Sequence, residues 1–238
     1  MKEYYEILIN GMDNPFTVTE IVRGKAWIGA ELSNGSFGLA MNTEGESVGR
    51  IFDTLVGMKA KDAAQAVLSW NFKEASEAMA VINAFYNTPE RMEKLGSGVD
   101  LRESCTAGID TNGKTITLIG HLKLGDEALK GAKQVYIIER EPHDGDYPDS
   151  ACEYILPKTD IAIITGSAAI NKTMPRLVEL SKDAKTVITG PTVPMCPELK
   201  KLGIDRLSGM IVADVPGIKE WMREVRGNPY PFGKVFMI

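Results

Sequence analysis

The chain is poor in the residues that staple folds or hold soft metals. Its 238 residues include three cysteines and two histidines. Cys105, Cys152 and Cys196 stand 47 and 44 residues apart. That spacing fits neither a CxxC zinc pair nor a disulfide framework, so they read as reduced thiols. Positive charge is also in deficit. A net charge of −5 argues against a nucleic-acid-binding surface as the main function. Long apolar runs are missing, and stretches such as Ile161 to Ile164 are far too short to cross a bilayer. The opening "MKEYYEILING" carries acids and tyrosines where a signal peptide needs an apolar core, so a cytoplasmic protein without membrane contact is expected. Catalytic signatures are absent too: there is no Walker loop, no HExxH and no G-x-S-x-G elbow.

What is present is a chain with 44% hydrophobic residues, enough for a sizeable core in one large or two modest domains. Its two halves have different rhythms. A short amphipathic helix (Tyr4, Ile7, Leu8) precedes strand-like "FTVTEIVRG", "AWIGAEL" and "FGLAM". The turns between them carry Gly24-Lys25 and Asn34-Gly35, and Asn-Gly between β-rich runs is a strong hairpin signal. Helical patterns follow in "SVGRIFDTLVG", "AKDAAQAVLSW" and "FKEASEAMAVINAFYN". In the last, Ala75, Ala78, Met79, Ile82 and Tyr86 fall on one face. Strands followed by helices predict an α+β module over residues 1–100. A polar, Gly- and Ser-containing stretch between about 95 and 113 marks the junction. Residues 101–238 then alternate. Strand-like "TITLIG", "QVYIIE", "IAIITG", "TVITG" and "GMIVAD" are separated by helix-like "DEALKGA", "DSACEYIL", "MPRLVELSK", "CPELKKLG" and "IKEWMREVRG". Continuous apolar strands imply burial on both faces, hence a parallel, Rossmann-like open sheet. The fold class is α/β.

In such a sheet ligands bind beyond the carboxyl ends of the strands, which singles out Gly120-His121, Glu139, Thr165-Gly166-Ser167 and Gly190-Pro191-Thr192. Glu139 lies nineteen residues after Gly120, the position from which an acid accepts hydrogen bonds from a ribose diol. The glycine fingerprint that should accompany it is absent, because "GHLKLG" is not GxGxxG. His121 follows a glycine at an expected helix start, where the helix dipole favours a neutral ring able to accept a proton or bind a metal. Asn171 and Thr173 read either as ligand contacts or as caps of the next helix. Cys196 stands at another expected helix start, where a thiol pKa falls. The segment from Glu139 to Asp160 carries five more acids than bases, which equals the net charge of the whole chain. Within it His143, Asp144 and Asp146 join His121 as candidate metal ligands, although the spacing matches no EF-hand or zinc template.

Taken in order, "ASEAMAVINAFYN", "IGH", "IIEREPHDGDYPDSACEYILPKTDIAIITGSAAINKT" and "ITGPTVPMCPELKKLGIDRLSGMIVAD" resemble a prokaryotic family of "putative heavy-metal chelation" proteins. The resemblance implies an enolase N-terminal-like module followed by a Rossmann-like one. It places a site between them, made by Asn83, Gly120, His121, Glu139, Thr165 to Ser167, Asn171, Thr173 and Gly190 to Thr192. It also implies a pterin- or flavin-like ligand or a metal, and a role in heavy-metal chelation or anaerobic cobalamin-type metabolism. The leading expectation is therefore a protein that binds a small polar or heteroaromatic metabolite in an interdomain cleft, with His121 as the candidate acid, base or ligand. Two alternatives stay open: direct metal binding or delivery through His121, His143 and the acidic loop, and a methyltransferase- or dehydrogenase-like enzyme using Glu139. Whether the chain is an enzyme, and whether it forms a homo-oligomer, also stay open.

Overall fold

The computed structural model of the chain describes residues 2–13, 15–95, 105–124, 126–224 and 227–238. It opens with helix α1 (Lys2–Asn10), whose Tyr4, Tyr5, Leu8 and Ile9 are buried. Strands β1 (Val18–Arg23), β2 (Trp27–Leu32) and β3 (Phe37–Met41) form an antiparallel sheet in the order β1-β2-β3. Its two hairpin turns fall at the expected Gly24-Lys25 and Asn34-Gly35. After the short helix α2 (Ala60–Ala64) comes α3 (Phe72–Tyr86), which lies against β2 and β3. Side chains on every face of α3 are buried, the mark of a core helix rather than a surface one. Asn71 caps it by accepting from the Glu74 N–H at 3.1 Å, a contact that contributes about 1 kcal/mol. Thr88 caps α4 (Pro89–Lys94) in the same way.

"SVGRIFDTLVG" does not form the expected helix. Residues 47–57 are bends and turns wrapped over the start of α3. The buried Glu74 carboxylate accepts from the Ile51 and Phe52 N–H groups, each at 2.8 Å. Those donors satisfy a side chain of α3 instead of a helix of their own, so tertiary bonding overrides the local pattern. Next to it the buried Glu77 carboxylate accepts from Arg50 at 2.6 and 3.2 Å and from Arg23 at 2.7 Å. Burial alone would raise the Glu77 pKa, but the hydrogen bonds and charges of the two arginines outweigh it and hold it below its ordinary 4.5. Because the folded-state value is depressed, the ion pairs stabilise the fold above pH 4.5 and lose that contribution as the pH falls through the depressed value. Glu77→Gln is expected to cost about 2–3 kcal/mol at pH 7, read as a lower urea midpoint. The gap from wild type should close as the pH drops below 4.5. An equal gap at pH 7 and pH 3 would remove the arginine clamp as the cause.

The second sheet contains β4 (Thr115–Ile119), β5 (Gln134–Glu139), β6 (Tyr147–Pro148), β7 (Ile161–Thr165), β8 (Lys185–Thr189), β9 (Arg206–Val212) and β10 (Gly233–Met237). The strand order is β10-β9-β8-β7-β4-β5-β6. All neighbours are parallel except β9 and β10. The expected alternation survives, but several connections are shorter than helices. Asp126–Leu129 and Pro197–Leu202 are 3-10 turns, and α5 (Cys152–Ile155) is a single turn between two others. Full helices remain at α6 (Met174–Leu180) and α7 (Val215–Glu224). Part of the junction expected between about 95 and 113 lies outside the described residues. One apolar core includes Tyr4, Leu8, Met79 and Ile82 from the first half and Ile119, Ile164, Ile188 and Leu207 from the second, so the two sheets bury their faces against a shared interior. No helix among the described residues is long and apolar enough to cross a membrane.

Candidate functional site

Strand β4 has β5 on one side and β7 on the other. The direction of winding therefore reverses between β4 and β7, and a crevice opens where the chain leaves those two strands. Register brings the ends together: Ile119 pairs with Ile138 on one side and Ile164 on the other. Gly120 sits at φ +95, and a Cβ there would meet the Thr165 side chain at 3.0 Å. Glycine thus lets β4 turn away from β7 without closing the crevice. The loop after β3 and Phe72 of α3 complete the wall of this crevice, a cavity of about 1340 Å³.

The cavity wall includes Gly120, His121, Glu139, Thr165, Ser167, Asn171 and Thr173. The remaining candidates lie elsewhere. Gly166 packs against Val193, which a Cβ would meet at 2.7 Å. Asn83 is wholly buried; its amide donates to the Leu39 carbonyl at 2.7 Å and the Thr192 carbonyl at 3.0 Å. Thr192 Oγ1 accepts from the Met41 N–H at 3.0 Å, and the Gly190 N–H bonds the Ser208 carbonyl. The Gly190-Pro191-Thr192 turn and Asn83 therefore form a joint between the two sheets behind the cavity. Asn171 Oδ1 accepts from Thr173 Oγ1 at 2.6 Å and from its N–H at 3.2 Å, which fixes the turn ahead of α6.

His121 does not start a helix, because residues 121–124 are irregular. The dipole expected there is absent and a carboxylate takes its place. Glu139 accepts from the His121 N–H at 2.8 Å and the Arg140 N–H at 2.7 Å, which pins the ends of β4 and β5 together. This holds the His121 ring beside Asp146, with Nδ1 3.2 Å from Oδ2. A tight turn presents the other two groups. The Asp146 N–H bonds the His143 carbonyl at 2.9 Å, with Gly145 at φ +94 between them, a conformation that glycine adopts freely. The His143 N–H donates back to Asp146 Oδ2 at 3.0 Å. That bond, and then the neighbouring His121, keep the Asp146 pKa below its ordinary 3.8. One donor atom each from His121, His143 and Asp146 lie within 4.8 Å of one another. Asp144 sits on the same turn outside this group.

Two imidazoles and an anionic carboxylate suit borderline divalent ions such as zinc, nickel, cobalt or copper. Three protein ligands leave coordination positions free for something else. The cysteines do not join them. Cys152 also lines the cavity, but burial pushes its thiol up to about 11. Cys196 runs opposite to the expected lowering: burial, and then its bond to Glu198, push it up to about 12. Only a 3-10 turn follows it, so an apolar surrounding decides.

Sequence reasoning missed Lys172, which stands between Asn171 and Thr173 in the cavity wall and is only 8% exposed. It also missed Phe72, Asn42 and Thr43 in the same wall. Nothing in the local pattern distinguishes Lys172 from a surface lysine.

A three-stranded antiparallel sheet joined to a seven-stranded, mostly parallel one, with a cleft at the switch point, makes this a mixed α/β protein. The chain belongs to the DUF364 family, described as "Putative heavy-metal chelation", which it matches over residues 108–229. Residues 5–86 match the DUF4213 family, which has the same description. Both matches fit a role in metal binding. The crystal structure of a DUF364-family protein of unknown function from Desulfitobacterium hafniense is similar at 32% identity and a TM-score of 0.90, covering 100% of this chain and 98% of that one. A DUF364-family structure from Pyrococcus horikoshii, at 24% identity and a TM-score of 0.73, shares the fold over 100% of this chain and 96% of its own. An uncharacterized protein of Methanocaldococcus jannaschii is 28% identical over 155 residues, 62% of this chain and 58% of its own length. The match therefore spans little more than half of that relative.

Proposed function

We propose that the protein binds a borderline divalent metal ion through His121, His143 and Asp146 and presents it to a small molecule held in the cleft between its two sheets. The observation that carries this reading is that the only two histidines in the chain, both in the wall of that cleft, meet the Asp146 carboxylate. The cavity, at about 1340 Å³, exceeds the roughly 300–1,000 Å³ of ordinary small-molecule sites. It therefore accommodates a metabolite together with the ion. Coordination positions not filled by the protein face a ligand with polar groups of its own, as metal-cofactor metabolism of the cobalamin type would require. The family description supports the metal half of the reading.

The test uses protein purified without added metal, stripped on a chelating resin and titrated with Zn²⁺, Ni²⁺ and Co²⁺ by calorimetry. One ion per chain with micromolar or tighter affinity is expected. The Co²⁺ form should show visible d–d bands that change when His143 is replaced by Ala. Wild-type protein that takes up no more metal than His121→Ala would end the proposal.

A further inference from the structure

Lys172 is a long cationic side chain inside the protein, at 8% exposure, on a backbone at φ +69. Few residues other than glycine and asparagine adopt that conformation. Its ammonium donates to the Ile170 carbonyl at 2.8 Å and stands 5.7 Å from the centroids of both the Tyr5 and Phe72 rings. Among the described residues no carboxylate comes within ion-pair distance of it. A buried charge without a counter-charge is costly, and folds retain such strain mainly at functional sites.

Two further polar groups of the same cavity lack partners among the described residues. Asn42 Oδ1 and Thr43 Oγ1 are buried and make no hydrogen bond there. They belong to the loop that folds over Phe72, where the Phe72 N–H bonds the Gly45 carbonyl at 2.8 Å. Phe72 thus has the ammonium on one side and the orphaned oxygens in its adjoining loop.

We propose that Lys172 is the anion-binding residue of the cleft, receiving the carboxylate or phosphate group of a small metabolite whose hydroxyl or N–H groups meet Asn42 and Thr43. The proposal rests on the cleft being a ligand site, as argued above, and names the chemical class of that ligand. Burial lowers the Lys172 pKa to about 8, which leaves the ammonium the main form at neutral pH. An anion beside it supplies the missing counter-charge.

The experiment uses the full chain freed of metal on a chelating resin, with inorganic phosphate and malate as separate probes. Thermal melting and calorimetry are recorded for wild type, Lys172→Met and Lys172→Arg. Saturable stabilisation of wild type by one probe is expected, and the probe that acts separates a phosphate from a carboxylate ligand. Lys172→Met should weaken that binding by about tenfold or more, and Lys172→Arg should retain it. Without any anion Lys172→Met should melt higher than wild type, because the uncompensated charge is gone. A merely structural lysine would give the opposite shift. Acetylation of Lys172 in wild type, followed by peptide mass mapping, needs no variant to fold; the active probe should slow it. Equal anion affinity in wild type and Lys172→Met, acetylation indifferent to both probes, or no response of wild type to either would overturn the proposal. Metal titration of wild type is read separately. Anion binding through Lys172 without metal uptake would sink the metal reading and leave this one standing.

Discussion

Asp146→Asn is expected to lower the affinity for a divalent ion by at least about 100-fold while leaving the fold intact. Losing even an outer partner of a metal ligand costs about 10–100-fold, and Asp146 is proposed as a ligand itself. Its Oδ2 faces His121 Nδ1 at 3.2 Å and accepts from the His143 backbone N–H at 3.0 Å, so one carboxylate touches the His121 ring and closes the turn that carries His143. The His143 N–H, first of all, holds its pKa below 3.8. It is therefore an anion at any pH where imidazole binds metal. Asparagine keeps the shape and the acceptor oxygen that closes the His143–Asp146 turn, but it removes the negative charge. Asp144→Asn is the control, because that residue shares the loop but not the donor cluster. Calorimetry with Zn²⁺ at pH 7.5 reads both variants, and circular dichroism confirms that the turn and sheet survive. Equal affinities for Asp146→Asn and Asp144→Asn would mean that the acidic loop attracts ions only through its overall charge.

The parallel sheet was the most legible part of this sequence. "TITLI" and "IAIIT" are continuous apolar runs, and burial on both faces is what such runs require. From that alone Gly120, His121, Glu139 and Thr165 could be placed at neighbouring strand ends, and the structure brings them to one cleft. Local chemistry did not reveal which turns face a ligand. "TGS" and "GPT" carry the same small and hydroxyl residues, yet Thr192 bonds Met41 and Asn83 in a joint while Thr165 and Ser167 line the cavity. The helix expected over "SVGRIFDTLVG" failed because Glu74, more than twenty residues later, takes the N–H groups of Ile51 and Phe52. The antiparallel β10 escaped notice at an edge where, past the buried Gly233, its residues are exposed or only partly buried. The left-handed backbone of Lys172 has no signature in composition or period.

The joint behind the cleft supplies the largest expected loss of stability. Asn87, at the end of α3 and 3% exposed, donates through Nδ2 to the Val193 carbonyl at 2.9 Å and the Met210 carbonyl at 3.1 Å. It accepts at Oδ1 from the Met195 N–H at 2.8 Å. One side chain thereby ties the end of α3 to β9 and to the segment after β8. Asn87→Ala withdraws three hydrogen bonds from backbone groups that water does not readily reach. At about 1–1.5 kcal/mol each, with a cavity added, the expected cost is about 3–5 kcal/mol. A domain holds only about 5–15 kcal/mol in total. Asn87→Asp should be no milder, because it keeps the acceptor but turns a carboxylate toward two carbonyls. Asn83→Ala should cost less, about 1–2 kcal/mol: its amide makes two bonds, and its Oδ1 has no partner among the described residues. Urea unfolding at pH 7.5 ranks the three, with a fall in midpoint at constant slope as the signature of lost stability. If Asn83→Ala proved the more damaging, the two sheets would be held together chiefly at β3 and Thr192, and Asn87 would only cap its helix.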